Sequence, residues 1–96
     1  MFNDEFEWDD GKAAQNWANH GVDFLWTTQA FRDACAIEWF DTREHYGEER
    51  VNMPANIEGI IVHVTFVEVE TRVRIIYARR ATRHEKDRYF RENAGD

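Results

Sequence analysis

Two consecutive runs of β-branched and aromatic residues, Ile60–Val69 and Thr71–Arg79, leave the centre of this chain little conformational choice. Val, Ile, Thr and Phe fit a pleated, half-buried surface, and a period of two sends alternate side chains to opposite faces. With almost nothing between them, the two runs can only pair as an antiparallel hairpin. On strict alternation Val73, Ile75 and Tyr77 face one side; Arg72, Arg74 and Ile76 face the other, and Arg80 continues the arginine side. A lone hairpin is marginal in water, so the remaining residues must add strands and cover one face.

The flanking segments supply both. Downstream, Thr82-Arg83-His84-Glu85 fits a capping box, in which Thr caps a helix start and Glu three residues on reaches back; Gly95 can end that helix. Upstream, Phe6-Glu7-Trp8 reads as a short strand stopped by Asp9-Asp10-Gly11. Asp10 is placed to cap a helix through Trp17 that ends at Gly21, and Asp23 to cap a second bearing Phe24, Trp26 and Phe31. The short link between them predicts an antiparallel helical hairpin. Ala36–Asp41 and Glu49–Met53 read as strands around a polar turn, with Pro54 marking a strand end or sheet edge. No repeat or Pro/Gly/Ser-rich linker divides residues 1–96. The expectation is one α+β domain with a compact antiparallel sheet of about four strands, an N-terminal helical hairpin and a C-terminal helix.

Ninety-six residues lie near the lower limit for a self-sufficient core, and the four Trp, seven Phe and three Tyr help to supply one. The single cysteine, Cys35, cannot form an intrachain disulfide, which fits a reducing compartment. No apolar run approaches the ~20 residues of a membrane span, and the acidic N-terminus does not resemble a basic signal-peptide start. The expected location is the cytoplasm. Serine nucleophiles are excluded because the chain has no serine, and glycine-rich phosphate loops are absent. Scattered carboxylates, unsuitably spaced histidines and one cysteine argue against a metal site, and no cofactor is expected.

Charge is unevenly distributed. Residues 1–70 carry fifteen acidic and four basic side chains, a balance of −11; residues 71–96 carry eight basic and four acidic, a balance of +4, giving −7 overall. Such polarity suggests a local anion-binding surface rather than bulk affinity for nucleic acid. Arg72, Arg74, Arg79, Arg80 and Arg83 gather where a strand leads into a helix start, a place where N–H groups and the dipole attract anions. They can form a phosphate cradle, or a solvated face paired to nearby carboxylates. Glu68 can take a proton from a ribose 2′-hydroxyl or serve as a cross-strand ion-pair partner. His20, before Gly21, can be an acid–base group or a helix C-terminal cap. His63 reads as a packing residue, and His45 and His84 as surface residues. Tyr89 and Phe90 are suited to the core or a partner. Trp26 and Trp39 are candidates for a partner groove.

These residues in this order resemble a known family. Phe6-Glu-Trp-Asp9, Lys12, Asn16, His20-Gly-Val-Asp-Phe24, Phe31, Tyr46-Gly-Glu-Glu-Arg50, Glu68 and the Arg72–Arg83 run look like the BrnT toxins, over about Phe6 to Tyr89. The sequence departs from the family pattern at Asn19, where lysine is usual, and at Tyr77, where a small residue is usual. The resemblance implies a RelE-like ribonuclease fold and a metal-independent endoribonuclease that cuts RNA and halts translation. It also implies a BrnA-like antitoxin partner, through which alone operator DNA is contacted. It maps an arginine-rich strand and helix start onto Arg72, Arg74, Arg79, Arg80 and Arg83, and a strand-end glutamate onto Glu68. Put together with the residues themselves, Arg74 and Arg79 are expected to hold the scissile phosphate, Arg50, Arg72, Arg80 and Arg83 to contact the RNA backbone, and either Glu68 or His20 to handle protons. A module that only binds antitoxin and aids repression is the competing expectation. A housekeeping RNA-binding domain fits less well, because it would be basic overall and carry stacking aromatics on a sheet face.

Overall fold

The computed structural model describes residues 2–43 and 47–94. Its scaffold is a five-stranded mixed sheet in the order β1-β5-β4-β3-β2. The strands are β1 (Phe6–Glu7), β2 (Trp39–Phe40), β3 (Arg50–Ile57), β4 (Ile60–Val69) and β5 (Arg72–Arg80). The expected hairpin is β4–β5, antiparallel from Val62↔Arg80 to Val69↔Arg72. β3 joins β4 through a two-residue turn at Glu58-Gly59, where both residues have positive φ (51° and 90°), the backbone a tight hairpin of that hand requires.

Three expectations are corrected. The sheet has five strands rather than about four, and it is not wholly antiparallel: Phe6 and Glu7 run parallel to β5, opposite Val73 and Arg74. Nor do two matched helices form the N-terminal hairpin. Helix α1 (Asp10–His20) has the expected length and ends at Gly21 with φ 65°, but Asp9, not Asp10, is its cap, accepting from Lys12 N. Helix α2 (Phe24–Thr27) keeps the Asp23 cap yet lasts only four residues before tightening into a 3₁₀ turn, Thr28–Arg32. Thr27 and Thr28 explain the change. Each hydroxyl donates back to a carbonyl of the preceding turn, Asp23 O at 2.8 Å and Leu25 O at 2.7 Å, and β-branched hydroxyl residues are poor at continuing an α-helix.

Third, β3 runs straight through Pro54 although it is an inner strand. Pro54 O accepts from Ile37 N at 3.4 Å, so its backbone nitrogen also faces the β2 side. There β2 covers only Val51 and Asn52, and the missing N–H costs no ladder bond with β4. Pro54 is therefore at a local edge within an inner strand.

Val51, Met53, Ala55 and Ile57 of β3, Val62, Val64 and Phe66 of β4, and Ile75 and Ala78 of β5 form the core, covered by Val22, Phe24 and Ala30. Trp8 packs edge-on against Phe24 at 5.8 Å, and Phe31 stands edge-on to Phe66 at 4.9 Å. Helix α3 (Arg83–Asn93), with the predicted capping box at Thr82 and Glu85, closes one end of the opposite face. There Ile61, Ala81 and Tyr89 make a small second core. The Tyr89 hydroxyl donates to Asp33 at 2.7 Å, and Asp33 also accepts from Asn56 N at 2.7 Å. The predicted stop at Gly95, and His45 and Tyr46, lie outside the described residues. No described helix is long and apolar enough to cross a membrane.

Candidate functional site

The face of the sheet turned away from α1 and α2 holds the polar chemistry, and one irregularity determines its membership. Nine residues of β5 oppose eight of β4: Phe66 pairs with Ile75 and Thr65 with Tyr77, leaving Ile76 as a bulge. Past the bulge the numerical alternation inverts. Tyr77 joins Arg72, Arg74 and Arg79 on the open face, whereas Arg80, opposite core residue Val62, goes to the other. The expected placements of Tyr77 beside Ile75, and of Arg80 beside Arg74, are thus overturned.

The same register brings Arg50, Asn52, Thr65, His63, Glu7 and Trp39 onto this face. Asn52, Thr65 and His63 are buried on this face, His63 beside Glu85 of α3. Thr65 donates to Asn52 Oδ1 at 2.8 Å across the strands, and the Asn52 side chain also hydrogen-bonds Asp41.

The four arginines of this face are all held by carboxylates, Arg50 by Glu48 and the others by Glu7 and Glu85. Glu7 receives Arg74 Nε at 2.8 Å on one oxygen and Arg72 Nε at 3.1 Å on the other. The Arg74 hydrogen bond leads the causes that lower the Glu7 pKa. Arg79 forms a fork on Glu85, with Nη1 to Oε1 at 2.7 Å and Nη2 to Oε2 at 2.8 Å. Its Nε donates to the Tyr77 hydroxyl at 2.6 Å, and Nη1 also reaches Arg80 O at 3.2 Å. The Glu85 bonds raise the Arg79 pKa further above its usual range. For Glu85, burial pushes upward, but the Arg79 fork and the Thr82 N–H win and bring it down to about 2. His63 Nδ1 lies 3.2 Å from Glu85 Oε2 without the alignment of a hydrogen bond. Burial holds its imidazole pKa below normal despite that carboxylate.

The other predicted residues divide. His20, exposed at the end of α1, sets its ring edge-on to Tyr77 at 5.3 Å. Arg50 donates from Nε to Glu48 at 3.0 Å and reaches toward the same place. Together Lys12, Gln15, Asn16, Asn19, His20, Arg50, Ile76 and Tyr77 line a groove that contains no carboxylate. Glu68 stands on the other side of β4, opposite Val73, and is exposed. It shares only the rim of a separate cleft with Arg74, among Glu48, Glu49 and Phe40. Arg80 and Arg83 are exposed at the end where α3 begins. Trp39 lies under the Arg88 guanidinium at 4.0 Å, Trp26 packs partly buried on the core, and Phe90 is exposed.

Sequence reasoning passed over Tyr77, Glu7 and the second role of Glu85, and treated Asn16 only as part of a pattern. The Asn16 amide is buried and fully engaged: its nitrogen donates to Val22 O at 3.0 Å and Ala78 O at 2.8 Å, and its oxygen accepts from Ala78 N at 3.1 Å. It ties α1 to the rim of β5 and so fixes His20 beside Tyr77. Among the described residues, no group of three or more His, Cys, Asp or Glu side chains is placed to hold a metal.

These features define a small α+β domain with a cationic groove on an open sheet face. Comparison by sequence then gives the family. Residues 8–85 match the family of the ribonuclease toxin BrnT of type II toxin–antitoxin systems, and the chain belongs to it. No curated protein matches the chain. The matched span takes in α1, the groove and the whole of β5, and it ends at Glu85, the carboxylate that holds Arg79. Membership of a type II toxin–antitoxin family gives the protein an antitoxin partner.

Proposed function

We propose that the protein is a RelE-like, metal-independent endoribonuclease that halts translation by cutting RNA on the open sheet face. One observation carries the reading. In a chain of net charge −7, the groove between α1 and the bulge of β5 gathers Lys12, His20 and Arg50 with no carboxylate in its own lining, Glu48 holding Arg50 from outside it. Such a pocket attracts phosphate within a field that otherwise repels it.

In this reading a ribose 2′-hydroxyl attacks the adjacent phosphorus and the bond to the 5′-oxygen breaks. The products are a 2′,3′-cyclic phosphate and a 5′-hydroxyl. His20, at the mouth of the groove, takes the 2′ proton or returns one to the leaving oxygen. Arg50 stabilises the extra charge on the pentavalent phosphorane. Arg74 and Arg72 lie along the same face and guide the neighbouring backbone; Arg83, at the start of α3, and Arg80, just before it on the other side of the strand, contact it further along. Glu68 stands on the other face, away from the groove, so His20 takes the proton-handling role. The antitoxin masks this surface in the cytoplasm, and operator DNA is met only through the antitoxin.

The test is induced expression in a bacterium with and without the antitoxin, followed by mapping of RNA ends. Growth arrest relieved by the antitoxin, with cyclic or 3′-phosphate ends that still form in the presence of EDTA, is the expected result. His20→Ala should slow cleavage on the order of 10²–10⁴-fold. RNA ends bearing a 3′-hydroxyl would refute the mechanism. The second reading, a module that only binds antitoxin, draws on the pairing of Arg72, Arg74 and Arg79 to Glu7 and Glu85. It predicts a folded protein that causes no arrest.

A further inference from the structure

We propose that the Tyr77 hydroxyl donates to the scissile phosphate in this groove, and that Arg79 and Glu85 are its positioning residues rather than phosphate ligands. The inference rests on the ribonuclease reading above and assigns the contacts within its site.

Arg79 has five N–H donors. One goes to Tyr77, two to the Glu85 fork and one to Arg80 O. A guanidinium so committed has too few donors left to clasp a phosphate with two parallel bonds. What it does instead is fix a neighbour. Because the Tyr77 oxygen accepts from Arg79 Nε at 2.6 Å, its own hydrogen must point away from that cation. Tyr77 forms part of the groove wall beside His20 and Arg50. Its ring is clamped edge-on by His20 at 5.3 Å and by His63 at 6.3 Å. The bulge at Ile76 is what turns the ring to this face. The result is a single O–H donor on a wall residue of a groove with no carboxylate in its own lining, held by a cation that Glu85 anchors. A donor preorganised in this way acts where negative charge develops.

The experiment measures kcat and KM on a synthetic single-stranded RNA carrying a site the parent protein cuts. Tyr77→Phe keeps the ring and its clamps, and kcat should fall roughly 100-fold with KM little changed. Glu85→Gln retains a capping box but loosens the Arg79 fork, so kcat should fall as well. The double variant should be no slower than Tyr77→Phe alone, because Glu85 acts through Tyr77. Wild-type kcat in Tyr77→Phe would overturn the proposal. So would a rise in KM alone, which marks a flanking contact, or losses that simply multiply in the double variant, which mark Glu85 as independent. If the parent protein cuts no RNA, the ribonuclease reading fails and this assignment with it. If the parent cuts and Tyr77→Phe cuts equally well, only the assignment fails.

Discussion

The two faces of the sheet are built from the same strands on different terms. On the covered face Val51, Met53, Val62, Val64, Phe66 and Ile75 pack against Phe24 and Ala30, and the charged positions, Glu68 and Arg80, lie only at its exposed margins. On the open face the same strands present Arg50, Asn52, His63, Thr65, Arg74, Tyr77 and Arg79, each satisfied by a specific partner or placed beside one. The covered face stabilises by area and tolerates approximate fits. The open face depends on individual distances, so its changes should appear in chemistry and pH response more than in bulk stability.

Three measurements would break or sharpen that contrast. The largest effect belongs to the covered face. Phe24 is wholly buried, and Phe24→Ala should cost about 3–5 kcal/mol in denaturant unfolding; a cost under about 1 kcal/mol would show that this face is not the principal core. Next comes the Glu85 anchor. Its folded pKa of about 2 lies below the ordinary value of 4.5, so the unfolded chain binds the proton more tightly. The stabilisation is therefore complete above about pH 4.5 and is lost as pH falls toward 2. It is worth on the order of 3 kcal/mol for this largely buried group. Glu85→Gln should flatten that part of the stability–pH curve, and an unchanged slope would assign the acid response elsewhere. The smallest effect is at Glu7. Glu7→Gln removes the negative charge from Arg72 and Arg74 and should strengthen RNA binding. The log–log salt slope should steepen by roughly 0.7 for each phosphate newly engaged. A weaker complex would mean that Glu7 organises the arginines for RNA rather than competing with it.

The same division marks what the sequence disclosed. Core residues of β4 and β5 alternate by number up to Phe66 and Ile75, and the capping box of α3 and the Gly21 and Asp23 signals are local, so they are legible. Strict alternation puts Tyr77 and Arg80 on the wrong faces because nothing in Ile-Ile-Tyr-Ala announces a bulge; it arises in the pairing with β4. The Glu7 pairs with Arg72 and Arg74 span 65 and 67 residues, beyond any periodicity. His20 and Arg50 stand far apart in the sequence, and their meeting at one groove depends on α1 being pinned to the rim of β5. Glu68 looked well placed because it is close in sequence to Arg72, whereas the strand's pleat puts it on the other side.

The Asn16 amide has a consequence beyond holding α1. A sheet's last strand normally offers free donors and acceptors on which an extended chain can grow, the first step of edge-to-edge aggregation. Here β1 covers β5 only at Val73 and Arg74, and the Asn16 side chain occupies both backbone groups of Ala78 as a strand would. One carboxamide thus stands in for a missing sixth strand at that position. A chain with alanine there would expose an adhesive border beside its groove, open to growth by strand addition.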